Sequence, residues 1–259
     1  MLHLIKSYCR YLFSAKNAHH LHSPFVFHLY NEIININKKY YVFSLIEKLR
    51  LSFMNNYQKI DVTDFGAGSH LNSSPQKTLS SLAKISSTPR KEAQLLFKLI
   101  NHFDCKNIIE LGTCLGFTTL YLQKANTKSN IFTFEGCPNV AKIAQENFNA
   151  LEAKNINIIV GNINDTLPEK LKTITTIDFL FLDANHRYQA TLDYFELCLP
   201  KLHKNSIVVL DDIHWSADME KAWQEIIKRK EITISIDLFG LGLLFFHQNQ
   251  EKENFILKF

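Results

Sequence analysis

From about residue 89 onward, two patterns of apolar and polar positions alternate along the chain. Short apolar runs typical of buried strands are separated by stretches with helical spacing, the first of which follows Pro89 with Ala93, Leu96 and Ile100 on one face. The last two runs are joined through Phe239 and Gly240, a connection short enough to predict antiparallel neighbours. The predicted strands are 107–111, 130–135, 156–160, 177–183, 206–211, 232–237 and 241–247. This order predicts an α/β fold with seven strands, mostly parallel, and an antiparallel last strand.

Residues 1–87 follow a different pattern, rich in aromatic residues and histidine, with helical stretches at 2–13 and 24–36. We predict that they form an N-terminal helical cap on a domain spanning 88–259. His19, His20, His22 and His28 suggest a metal, but their spacing fits no common ligand set, so a structural or substrate-facing role is favoured.

Charge is concentrated at the same end of the chain. Residues 1–60 carry eight Lys and Arg against two Asp and Glu, a net charge of +6 within a chain total of +4. A solvated helix face explains this better than an acidic lipid or nucleic-acid partner, and no aromatic RNA-binding signature accompanies it. The five cysteines form no C-x-x-C pair, and no apolar stretch is long enough to span a bilayer. We therefore expect a cytoplasmic protein with no transmembrane segment.

The most informative motif is the strand that ends at Leu111 and runs through Gly112 and Gly116 into an amphipathic helix. Gly112 permits a sharp turn, and Gly116 opens the helix without covering its free N–H groups, which favour a carboxylate or phosphate. A dinucleotide site needs a third glycine, so a nicotinamide oxidoreductase is the weakest hypothesis. A second glycine segment, 64–69, also lacks its third glycine and is predicted to be a turn.

The arrangement of Glu110, Gly112 and Gly116 resembles motif I of class I S-adenosylmethionine-dependent methyltransferases, which have a Rossmann-like sheet. The resemblance covers about residues 88–250 and implies that this loop takes the amino-acid end of the cofactor. It also implies an acid at the end of the second strand that accepts both ribose hydroxyls. Glu135 fits, since it lies 23 positions after Gly112. The cofactor residues implied are Glu110, Gly112, Thr113, Gly116, Thr118, Glu135, Gly136, Asn162, Ile163 and Asp183.

Three carboxylates follow the fourth and fifth predicted strands. Asp183 ends one strand, and Asp211 with Asp212 ends the next, so neighbouring parallel strands would bring them to the same edge. Such a group is costly without a cation, and oxygen ligands suit Mg²⁺, Mn²⁺ or Ca²⁺ rather than zinc. The pattern is similar to that of the metal-dependent catechol and caffeoyl-coenzyme A O-methyltransferases, except that Asp212 stands where they carry Asn.

The run Asp183-x-x-His186-x-Tyr188 also looks like a motif of bacterial class I methyltransferases with diverse acceptors. His186 stands where the catechol-type enzymes carry Lys, and an imidazole is suited to removing a hydroxyl proton, so His186 and Asp183 are the catalytic candidates. Alternatively, His186 caps the next helix or packs on Tyr188. His214 is a second candidate base, and Trp215 could wall the acceptor pocket.

These observations favour an S-adenosylmethionine-dependent methyltransferase that acts on a small molecule, at a hydroxyl oxygen, with help from a divalent cation. Two alternatives stay open: a metal-independent methyltransferase, and a binding or regulatory module that keeps the fold without turnover. No nucleic-acid partner is expected, and a homodimer through the last two strands is a further hypothesis. The sequence does not identify the acceptor.

Overall fold

A computed structural model describes residues 2–63, 76–85, 88–248 and 250–259. A π-helical turn, Tyr30–Ile34, continues the second helix, and single 3₁₀ turns occur at Ala18–His20 and Leu199–Lys201. In chain order the helices and strands are α1 (Leu2–Ser14), α2 (Pro24–Leu29), α3 (Tyr41–Met54), β1 (Lys59–Asp61), β2 (Gln76–Thr78), α4 (Leu79–Ile85), α5 (Arg90–Phe103), β3 (Asn107–Leu111), α6 (Phe117–Ala125), β4 (Asn130–Glu135), α7 (Pro138–Ala150), β5 (Ile156–Val160), α8 (Ile163–Thr173), β6 (Ile177–Leu182), α9 (Tyr188–Cys198), β7 (Leu202–Asp211), α10 (Ala217–Ile226), β8 (Ile234–Asp237), β9 (Leu241–Phe245) and β10 (Glu253–Ile256).

The chain divides into two compact units. Met1–Asn37 and Thr176–Phe259 form one, which we call the terminal unit, and Lys38–Thr175 form the other, which we call the central unit. The boundary predicted at residues 87 and 88 marks where the methyltransferase-like pattern begins, and it stays a prediction about domain organisation.

In the central unit, strands β3, β4 and β5 lie side by side in that order, and both pairs are parallel. Parallel strands are buried by the helices that connect them, and all but one side chain of β3 are fully buried. The register places Glu110 opposite Thr133, and Phe134 opposite Ile159. The loops that follow the carboxyl ends of these strands therefore gather at one edge.

In the terminal unit the strands follow the order β10-β8-β9-β7-β6. Strands β6 and β7 are parallel, β9 runs antiparallel to both β7 and β8, and β10 runs parallel to β8. Gly242 in β9 lies against an indole: a Cβ there would come within 2.8 Å of Cε3 of Trp223, which is itself buried. The close approach of α10 to β9 thus depends on a residue without a side chain.

The fold class predicted from the sequence is confirmed, with mostly parallel strands connected by helices. The two units contribute three and five strands, so the described chain has eight of these strands where the sequence predicts seven. The additional strand is β10, a half-exposed edge whose charged neighbours Glu251 and Lys252 interrupt the apolar signal. The antiparallel strand β9 is consequently not the last strand. No helix among the described residues is long and apolar enough to cross a membrane.

Candidate active site

The glycine loop between β3 and α6 has the backbone geometry that its sequence demands. Gly112 and Gly116 have φ of +106° and +78°, and Cys114 between them also lies in the left-handed region at +47°. The N–H groups of Gly112 and Thr113 both donate to the carbonyl of Phe134, at 3.1 and 3.0 Å, and so fasten the loop to β4. A Cβ on Gly116 would collide with the ring of Phe148, so two independent constraints require glycine there.

Beneath the loop, Glu110 is fully buried in a chain of hydroxyl groups. Its Oε2 accepts from Thr119 at 2.5 Å and from Thr133 at 2.6 Å, and the Thr113 hydroxyl lies 2.6 Å from that of Thr133. Burial raises the pKa of Glu110 to about 7, although the two hydroxyl bonds lower it. Its Oε1 is buried without a hydrogen-bond partner.

Glu135 joins the glycine loop to the start of the next helix. Its Oε2 accepts the N–H of Cys114 at 2.9 Å, and its Oε1 accepts the N–H of Cys137 at 2.8 Å. The side chain is half-buried, and Gly136, which follows it, is also half-buried. The structure therefore brings the predicted ribose-binding acid against the predicted cofactor loop.

Two of the predicted cofactor residues have inward-facing hydroxyl groups. Thr113 is buried and pairs with Thr133, and Thr118 is buried and lies 2.8 Å from the hydroxyl of Thr88. Both side chains hold the loop and the first turn of α6 in place. Any contact of Thr113 or Thr118 with a cofactor would have to use their backbone groups.

The loop after β5 turns at Gly161, whose φ is +135°. Asn162 caps α8, because its side-chain oxygen accepts the N–H of Asn164 at 3.0 Å. Ile163 begins the helix and is half-exposed. The segment 64–69, predicted to be a turn, lies outside the described residues.

In the terminal unit, the loop after β6 places His186 against Asp183. The distance from Nε2 of His186 to Oδ1 of Asp183 is 3.4 Å, and Nδ1 of His186 is buried without a hydrogen-bond partner. Asn185 and His186 both have positive φ, +67° and +39°, and Asn185 donates to the hydroxyl of Tyr194 at 3.3 Å. Two consecutive residues with positive φ are strained, and backbone strain of this kind is concentrated at functional sites. The sequence did not indicate Tyr194, nine residues away on α9.

Asp211 ends β7, and the half-buried Asp212 follows it. Asp211 is buried, and Asp212 has a φ of +55°. Burial raises the pKa of Asp212, and the charge of His186 opposes that rise. Over the residues that the structure describes, no group of three or more His, Cys, Asp or Glu side chains is arranged to hold a metal ion. The predicted cation on Asp183, Asp211 and Asp212 is therefore not confirmed.

His214, the second candidate base, has both ring nitrogens facing carboxylates. Its Nε2 lies 2.7 Å from Oδ2 of Asp237, and its Nδ1 lies 3.5 Å from Oε2 of Glu220. Burial lowers the pKa of His214, but Asp237 and Glu220 outweigh it, so the pKa is raised. A buried imidazole held between two carboxylates keeps its proton, which suits a structural role better than that of a base. Neither Asp237 nor Glu220 had a signal in the sequence, because their partners lie far along the chain.

The comparisons with known proteins agree with this geometry. Residues 109–213, from β3 to the loop after β7, match the family model described as a methyltransferase domain. Among curated relatives, catechol O-methyltransferase of Niastella koreensis is 30% identical over 132 residues, which are 50% of this chain and 58% of the relative. Catechol O-methyltransferase of Mycobacterium tuberculosis is 25% identical over 125 residues, 48% of this chain and 55% of the relative. The chain thus spans little more than half the length of either relative.

Solved structures with the same fold include two O-methyltransferases with bound cofactor or product. TomG of Streptomyces achromogenes, in complex with S-adenosylmethionine, has a TM-score of 0.56 at 19% identity, covering 63% of this chain and 83% of that one. The enzyme of Bacillus cereus, in complex with S-adenosylhomocysteine, has a TM-score of 0.56 at 15% identity, covering 81% and 93%. At these identities the likeness concerns the fold alone, and the resemblance to methyltransferases drawn from Glu110, Gly112 and Gly116 is supported by the family model and the curated relatives.

Proposed function

We propose that this protein transfers the methyl group of S-adenosylmethionine to a hydroxyl oxygen of a small molecule. The observation that carries the proposal is the bond from the Cys114 N–H to Glu135, which joins the glycine loop to the acid that the resemblance assigns to the ribose. The curated relatives named as catechol O-methyltransferases support the same reaction at oxygen.

On the cofactor side, the proposal assigns one task to each element of the central unit. The N-terminal turn of α6 after Gly116 offers N–H groups and positive partial charge to the carboxylate of the cofactor. We assign the two ribose hydroxyls to the Glu135 carboxylate, which accepts the N–H groups of Cys114 and Cys137 and so lies against the glycine loop. Gly136 permits close approach beside it, while Asn162 and Ile163 border the adenine. The bound cofactor supplies an electrophilic methyl group on its sulfonium.

On the acceptor side, we assign the proton transfer to His186. With its Nε2–H directed at Asp183, the lone pair belongs to Nδ1, the atom that is buried without a partner. An acceptor hydroxyl that donates to Nδ1 would leave its proton on the His186 ring, so that the oxygen becomes the nucleophile. Asp183 would hold the ring orientation and stabilise the imidazolium that forms, and Trp215, with its ring 6.0 Å from that of His186, would cover one side of the acceptor.

The predicted divalent cation enters no step of this proposal. The described carboxylates are not gathered into a ligand set, and Asp183 already faces His186. In the metal-independent alternative, His186 does the work of a cation on the hydroxyl. A cation on Asp183, Asp211 and Asp212 stays a prediction that chelation tests.

The test is methyl transfer from S-adenosylmethionine carrying a labelled methyl group to a panel of catechols, phenols and aliphatic alcohols, with S-adenosylhomocysteine formation as a second readout. The proposal expects labelled ether product with at least one acceptor class and a large loss in His186→Asn. Tight binding of S-adenosylhomocysteine with no turnover on any acceptor would favour the non-catalytic alternative. Labelled product at nitrogen or carbon would contradict the assignment to oxygen.

A further inference from the structure

Helix α1 exposes a row of large apolar side chains to solvent. Ile5, Tyr8 and Leu12 are 57%, 46% and 51% exposed and lie three or four residues apart, and Phe13 at the end of the row is 93% exposed. Leu4, 38% exposed, extends the row toward the beginning of the helix. Such side chains occur singly on ordinary surfaces, whereas a contiguous row on one short helix marks an interaction surface.

The same helix is fixed to the terminal unit, so the row is a rigid ridge. The Tyr11 hydroxyl donates to the carbonyl of Leu257 at 2.6 Å and accepts the N–H of Phe259 at 3.2 Å. Ser7 donates to Glu220 at 2.8 Å, and Arg10 donates to the same carboxylate at 2.6 Å. These contacts satisfy the inner face of α1 and leave Ile5, Leu12 and Phe13 directed at solvent, while the half-exposed Tyr8 also packs on Phe239.

The charged residues of α1 itself and of the loop after it have one sign, and Arg10 among them is paired with Glu220 of α10. Residues 1–31 contain no Asp or Glu, and they contain the basic residues Lys6, Arg10 and Lys16. Lys6 and Lys16 are exposed beside the apolar row. An amphipathic helix with apolar and aromatic residues on one side, basic residues flanking them and no acids matches the pattern of helices that lie in the interface of an anionic bilayer.

We propose that α1 docks the protein on an anionic lipid surface, with Ile5, Tyr8, Leu12 and Phe13 in the headgroup and acyl boundary. A planar bilayer can receive exposed apolar side chains without a preformed groove. Charge complementarity selects anionic lipid, because Lys6 and Lys16 would face repulsion on a basic surface and no gain on a neutral one. This inference concerns where the protein is located, and it is independent of the proposed methyl transfer.

The experiment is cosedimentation of the full chain with vesicles of equal parts phosphatidylglycerol and phosphatidylcholine, and with phosphatidylcholine alone. We expect binding to the anionic vesicles that weakens as salt is raised, and little binding to the neutral ones. The double variant Leu12→Glu/Phe13→Glu should lower the partition coefficient by about tenfold or more, since both burial and charge are reversed. Lys6→Gln and Lys16→Gln should each lower it by about fivefold.

Leu197→Glu is the matched control, because Leu197 is an exposed leucine of the same unit on α9, and it should leave the partition coefficient unchanged. Thermal unfolding of each variant verifies that these surface changes leave the fold intact. Equal binding to neutral and anionic vesicles, no binding to either, or full binding by the double variant would overturn the proposal. So would a dimer in sedimentation velocity that the double variant dissociates without any lipid binding, because the ridge would then be covered by a second copy.

Discussion

Glu135 Oε2 lies 2.9 Å from the backbone nitrogen of Cys114, so a side chain at the end of β4 holds the middle of the glycine loop that follows β3. Its second oxygen holds the N–H of Cys137 at the start of α7. A single carboxylate therefore shapes two loops at the edge where the cofactor is proposed to bind. Changes at Glu135 should alter both the loop and its ligand.

Glu135→Ala should raise the Kd for S-adenosylhomocysteine by about tenfold to a hundredfold, because it removes charge-assisted bonds worth about 1.5–3 kcal/mol. Glu135→Gln keeps an acceptor oxygen for one contact, so its Kd should lie between those of the native protein and Glu135→Ala. Calorimetric titration measures both. Glu146→Ala, which changes an exposed acid on α7, is the control, and an equal loss in that variant would contradict a specific role for Glu135.

Gly116→Ala should weaken both folding and cofactor binding. The new Cβ meets the Phe148 ring at a residue with a φ of +78°, and strain of this kind costs about 1–3 kcal/mol. Denaturant unfolding should show that loss. A variant that keeps native stability and affinity would show that the loop does not need its observed conformation.

Glu110 should make stability depend on pH. Its pKa in the folded protein is about 7, above the ordinary 4.5, so the folded state holds a proton that the unfolded chain releases. The free energy of unfolding then declines as pH rises from about 4.5 through 7, and the stabilisation is complete only below that range. Glu110→Gln removes this slope.

As pH rises from 5 to 8, the free energy of unfolding of Glu110→Gln should increase by about 2–3 kcal/mol relative to that of the native chain. This follows from about 1.36 kcal/mol per pKa unit. Urea unfolding at the two pH values measures the difference. Glu146→Gln should change nothing with pH. A constant difference between Glu110→Gln and the native protein would show that Glu110 is ionised even when buried.

His186→Asn should lower kcat by about 10²–10⁴ with little change in cofactor affinity, as expected for loss of a general base. Asp183→Asn should lower kcat less, because the base remains but its ring is held less firmly. His203→Asn is the matched control, since His203 on β7 forms a similar pair with Asp178 on β6, at 2.8 Å. Equal losses at His186 and His203 would indicate a structural effect alone.

Chelation should leave turnover unchanged. The account assigns proton transfer to His186, held against Asp183, and routes no step through a cation. Initial rates with and without EDTA, followed by added Mg²⁺, provide the measurement. A loss of about tenfold or more that Mg²⁺ restores would establish that turnover needs a cation and would contradict the metal-independent mechanism.

The sequence predicted the strands near the glycine loop well, because each is a short apolar run bounded by turn residues. The bounds of β3, β4 and β5 agree with the prediction to the residue. It missed β10, whose few half-exposed residues carry no alternation, and it read the α2 region as one helix because a π-turn keeps nearly helical spacing.

Side-chain partners were predictable only where the resemblance supplied them. Glu135 and Gly116 follow from the motif, but the hydroxyl chain from Thr113 to Glu110 depends on the register of β3 and β4, which no single segment contains. The same holds for the carboxylates that enclose His214, which come from α10 and β8. Local pattern therefore supplied the candidate residues, and only the fold showed how each is held.

The central claim is that this glycine loop and Glu135 hold S-adenosylmethionine. The most direct measurement is calorimetric titration of S-adenosylmethionine into the full chain, beside the same titration into Glu135→Ala. The account predicts saturable binding at one site with a Kd on the order of micromolar, weakened at least about tenfold in the variant. Absence of binding by the native protein, or equal binding by both, would contradict it.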